Sequence, residues 1–165
     1  MIKVPDSSSV DPTILAAVGA VTMTHAQLDR VLQMTVKTLA EVSVGEALDA
    51  TALDGSYELR ELIKKLARPR LGEGAALIRL RALLERCKRA TDKRNDLVHG
   101  ILVAELDGDP QLHVKDHSMK PLPTAEELAG LQRELYSLVI AINDARLNGF
   151  LAEAMAERKK IKVPE

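Results

Sequence analysis

Four stretches of this chain repeat apolar residues at helical spacing, three of them at alternating steps of three and four, and that period leaves little room for anything but helices packed on helices. From Asp11-Pro12, an N-cap followed by proline in the first helical position, the series Ile14, Val18, Val21, His25, Leu28, Leu32, Thr35, Leu39 runs along one face for about eight turns, ending near Val42 to Gly45. Leu59, Leu62, Ile63 and Leu66 mark a shorter helix from Ser56 to Arg68, broken by Pro69 and Gly72. Leu77, Leu80, Leu84, Cys87, Thr91, Arg94 and Val98 mark a third, from about Glu73 to His99, with Gly100 in the C′ position that stops it. The box Thr124-Ala-Glu-Glu127 opens a fourth, with Leu128, Leu131, Leu135, Leu138, Ile142 and Ala145 on its seam and a continuation past Phe150 toward Arg158. Between the third and fourth lie two short β-prone runs around Asp107-Gly-Asp-Pro110, which predict a small hairpin with an acidic tip.

These elements predict an all-α chain, an up-and-down four-helix bundle with a small hairpin before its last helix. Residues 1–10 read as a lead-in, 11–158 as one domain and 159–165 as a basic tail. The long first and fourth helices outreach the second, so a homodimer is the expected way to cover their surplus apolar surface.

Composition narrows the function classes. With no Trp, two Tyr and one Phe, the chain lacks the aromatic platform on which many single-strand binders stack bases. A net charge of −1 means that any attraction to nucleic acid must come from a local patch. A single cysteine, Cys87, excludes a disulfide within the chain and a cysteine-rich zinc site, and its place in an apolar series suits a small hydrophobe. No glycine-rich phosphate loop is present, and no cofactor is expected. His113 and His117, if both stood on one strand, would be about 13 Å apart, too far to share a metal ion. The opening residues lack the basic start and apolar run of a secretion signal, and no run reaches the ~18 apolar residues of a membrane span. The expected compartment is the cytoplasm, with no membrane partner.

The chemistry concentrates at Arg94-Asn95-Asp96-Leu97-Val98-His99. Arg94 falls on the apolar seam of the third helix, where a guanidinium needs a carboxylate, a carbonyl or an anion; Asp29, near the polar seam residue His25, is a candidate partner. Asn95 and His99 lie about 40° apart and share a face, whereas Arg94 and His99 diverge by about 140°. An arginine can hold a phosphate bidentately, and a histidine can move a proton near neutral pH. Lys88, Arg89 and Lys93, upstream on the same helix, form the local positive patch. The bland alternative is equally concrete: a helix C-terminus with its favourable cations, and His99 as a cap.

Arg-x4-His with a polar residue after the arginine, ending in Val98-His99-Gly100 on the third helix of an all-α chain, resembles the signature of HEPN domains (higher eukaryotes and prokaryotes nucleotide-binding). These are dimeric helical domains, many of them metal-independent ribonucleases of toxin–antitoxin, defence and RNA-processing systems. The resemblance implies a composite cleft at a dimer interface, with Arg94 and His99 catalytic and Asn95 beside them. RNA or a nucleotide, and a cognate antitoxin or other protein, are the partners it implies. A catalytically inactive member, in which Arg94 and His99 are structural, is the alternative.

Overall fold

The computed structural model describes residues 10–103 and 111–161. The expected lead-in (save Val10), the acidic hairpin tip and the end of the basic tail lie outside them. Among the described residues there are six helices, α1 (Pro12–Ala40), α2 (Val44–Ala50), α3 (Ser56–Leu71), α4 (Ala75–His99), α5 (Ala125–Leu147) and α6 (Phe150–Ile161), and three short strands, β1 (Ile101–Val103), β2 (Gln111–His113) and β3 (Met119–Pro121). The chain is thus mostly helical with one small antiparallel sheet of order β1-β2-β3. No described helix is long and apolar enough to cross a membrane.

Contacts group the residues into two compact units, Met1–His25 with Arg89–Leu135 and Ala26–Lys88 with Tyr136–Glu165. In the first unit, Val21, Thr91, Leu128 and Leu135 are buried together with Leu112 and Val114. The expected hairpin is present, with Ile101 opposite His113 and Val103 opposite Gln111. The chain then turns back and adds β3, Lys120 facing Leu112 across the pair. This third strand goes beyond the two-stranded hairpin expected from the sequence. The box that opens α5 forms as expected: Thr124 N–H donates to Glu127 Oε2 at 2.8 Å, and Glu127 N–H donates to Thr124 Oγ1 at 3.2 Å.

In the second unit the core is Leu28, Leu32, Leu39, Leu59, Ile63, Leu77, Leu80, Leu84, Cys87, Leu138 and Ile142. Three expectations are corrected there. The stretch between the first two expected helices, for which no helix was expected, folds as α2, capped reciprocally by Ser43 and Glu46. Pro69 does not break α3, which continues to Leu71. The N–H that proline lacks would serve residue 65, and both positions are exposed to water. The fourth long helix stops at Leu147, because Asn148-Gly149 combines a weak helix former with glycine, which costs about 1 kcal/mol relative to alanine. α6 restarts at once, with the Arg79 guanidinium 4.3 Å above the Phe150 ring.

Two glycines are needed for different reasons. Gly72 ends α3 with φ 71° and ψ −178°, a conformation almost confined to glycine, and a Cβ there would lie 2.1 Å from Arg158 Nη1. Gly100 ends α4, yet it is not among the described left-handed glycines. It is required instead by close approach, since a Cβ would meet the Asp96 carbonyl oxygen at 2.5 Å and Leu112 Cδ2 at 3.3 Å. Gly72→Ala should therefore lower stability by about 1–3 kcal/mol, read as an earlier midpoint in chemical denaturation; an unchanged midpoint would remove the strain argument.

Candidate functional site

α4 is unbroken to His99, so its register places every side chain of the motif. The apolar seam is buried through Thr91, and the polar residues on the two facing seams serve each other: His25 Nε2 and Thr91 Oγ1 are 3.2 Å apart, each only 4% exposed. His25 is thus a packed histidine of the first unit. One step further, Arg94 is half-buried, as its seam position requires. Its Nη1 donates to Asn95 Oδ1 at 3.0 Å, and its Nε is buried without a partner. Asn95 therefore steadies the arginine, not His99. Val98 is 38% exposed and His99 is exposed, so the seam runs out into solvent in the last turn.

Asp29, proposed as Arg94's partner, belongs to the second unit and accepts a hydrogen bond from Ser56 Oγ. Lys88, Arg89 and Lys93 are all exposed, and Lys93 Nζ lies 3.4 Å from a Glu134 carboxylate oxygen. His113 and His117 are much closer than a strand would allow, with ring centroids 5.8 Å apart. The chain turns after β2, and His117 adopts φ 65°, which folds its ring back toward His113. Among the described residues no group of three or more His, Cys, Asp or Glu is placed to hold a metal ion.

Two features escaped the sequence reading. The first is Arg60, 5% exposed, whose Nη1 is buried with no partner. The buried face of α3 is Ser56, Leu59, Arg60, Ile63 and Ala67. Leu62 and Leu66, assigned to the stripe, are only half-buried. The charge of Arg60 acts on Cys87, whose thiol is pushed up to about 12, chiefly by burial; the positive charges of Arg60 and Arg86 pull it the other way and lose.

The second is a cleft of about 590 Å³ in the first unit, between the last turns of α4, strands β2 and β3, the segment 121–124 and the start of α5. Leu97, Leu112, Val114, Leu122, Leu128 and Leu131 line it, and Lys93, Asp96, Lys120, Glu127 and Glu134 stand around it. Lys120 Nζ is 2.6 Å from Asp96 Oδ2, and this hydrogen bond raises the lysine above its ordinary range. The Thr124 backbone N–H and hydroxyl hold the Glu127 carboxyl below its ordinary range. Arg94, Asn95 and His99 are not in the lining: Lys93, Asp96 and Leu97 turn toward the cleft, and the motif's functional side chains turn away.

The chain matches no family model, no curated protein and no solved structure.

At pH 8 a thiol with a pKa near 12 is ionised to only ~10⁻⁴, and thiolate is the reactive form. Cys87 should resist iodoacetamide in the native chain and label at the rate of a free thiol once unfolded, as followed by intact mass. Rapid native labelling would contradict its burial.

Proposed function

We propose that this chain is a HEPN-like helical protein, an up-and-down four-helix bundle that dimerises in the cytoplasm and cleaves RNA without a metal ion. Its actions follow from what cleavage requires. The ribose 2′-OH must lose a proton to attack the phosphorus, the leaving 5′-oxygen must gain one, and the five-coordinate phosphate between them must be stabilised. His99 serves as the proton-transferring group, and Arg94 binds the phosphate and the charge that develops on it. Each chain brings one motif histidine to a reaction with two proton transfers. The site is therefore composite, with a second copy supplying the other His99 across a two-fold axis.

The observation that carries this reading is the state of Arg94: half-buried, tethered by Asn95, and on the same helix end as an exposed His99. Lys88, Arg89 and Lys93 would add backbone attraction in RNA binding. A cognate antitoxin or another protein is the expected regulator.

A second reading has its own support. The apolar cleft of the first unit is not lined by Arg94 or His99, which favours a catalytically inactive module that binds a nucleotide or a protein, with the motif structural. RNA cleavage in the presence of EDTA separates the two. Wild type should cut, while His99→Ala and Arg94→Ala should each lose about 10²–10⁴-fold, the usual size of a proton-transfer or charge-stabilising contribution. Cleavage that persists in both variants removes the nuclease reading; absence of cleavage by pure wild-type dimer favours the binding module.

A further inference from the structure

The cleft beside β3 has the dimensions and the charge of a ligand site in its own right, independent of the nuclease chemistry. Its volume of about 590 Å³ falls within the roughly 300–1,000 Å³ of small-molecule pockets. Its walls are Leu97, Leu112, Val114, Leu128 and Leu131, with Gly130 leaving one side open. A Cβ built on Gly130 meets only Arg133 Nη2, at 3.9 Å.

The charges at the mouth do not balance. Two lysines and three carboxylates stand there, and each lysine is already engaged: Lys120 with Asp96 at 2.6 Å and Lys93 with Glu134 at 3.4 Å. Glu127 has no cationic partner among the described residues; its Oε2 accepts from the Thr124 backbone N–H at 2.8 Å and from the Thr124 hydroxyl at 3.0 Å. Helix dipoles do not supply the missing charge. The start of α5 contributes about half a positive charge and the end of α4 about half a negative one, so the two roughly cancel. What remains is an ionised carboxylate at the edge of an apolar hollow. An anionic head group there would face a like charge or have to displace an ion pair. A cationic head group meets Glu127 directly while its apolar body displaces water from the leucines.

We propose that this cleft binds a small amphipathic cation, its apolar body among Leu97, Leu112 and Leu131 and its ammonium or guanidinium on Glu127.

The test uses 4-phenylbutylamine and 4-phenylbutyrate, which share a body and differ in the sign of the head group, titrated at pH 7 into the full chain with labelled leucine and valine methyls. The amine should shift the methyls of Leu97, Leu112 and Leu131 saturably, and the carboxylate should bind at least about tenfold more weakly, the equivalent of one charge-assisted contact. Glu127→Gln retains the capping box, because glutamine serves at that position, and should weaken the amine about tenfold. Gly130→Leu fills the hollow, replaces a helix-interior glycine with a better helix former, and should abolish the shifts. Equal binding of amine and carboxylate, amine shifts confined to methyls outside the cleft, or no shifts with either compound would overturn the proposal. That comparison needs no variant, so it holds even where a substitution disturbs folding.

Discussion

Everything proposed for this protein depends on the register of α4 against its apolar seam. Leu77, Leu80, Leu84, Cys87 and Thr91 are each 4% exposed or less. A helix held by such a row cannot rotate without pulling several leucines into water, each worth roughly 1.5–3 kcal/mol. Rotation being fixed, the last two turns distribute their side chains without further choice. Arg94 continues the buried row, Lys93 and Leu97 face the cleft, and His99 faces solvent. The His25–Thr91 hydrogen bond belongs to the same constraint, since a polar pair buried on facing seams is satisfied in one register and orphaned in its neighbours.

That geometry places two different chemistries on opposite sides of one helix end. Away from the cleft lie the half-buried arginine and the exposed histidine, which resemble a ribonuclease motif and diverge too far to act on one atom without a second surface. Toward the sheet lies an apolar hollow rimmed by ion pairs. Both lysine–carboxylate pairs are substantially exposed, where such pairs contribute only about 0–1 kcal/mol. They shape the mouth of the cleft and contribute little to holding it closed.

The seams of α1, α4 and α5 were legible in the sequence nearly residue by residue, because burial on one face of a long helix imposes its period on the chain. The N-cap at Asp11 and the box at Thr124 and Glu127 were legible for the same local reason. Some local signals were present but missed. Ser43-x-x-Glu46 is a capping box of the same type and starts α2. Leu59 and Ile63 of the α3 stripe are buried as expected, but Arg60 and Ala67, rather than Leu62 and Leu66, complete the buried face. Gly100 was placed as the stop of α4, and the close approach of Asp96 and Leu112 that leaves no room for a side chain there was not legible.

By itself the sequence determined the helical class, the starts of α1 and α5 and the seam position of Arg94, all of which follow from local propensity and from side-chain spacing along one helix. Tertiary structure alone decided which groups meet across the chain. Thr91 meets His25 across the first unit. The turn after β2 brings His113 and His117 together. The cleft exists only because β3 folds back beside α4 and α5. Periodicity reports which way a side chain points relative to its own helix axis. It carries no information about the neighbour across the gap, and binding sites are made from those neighbours.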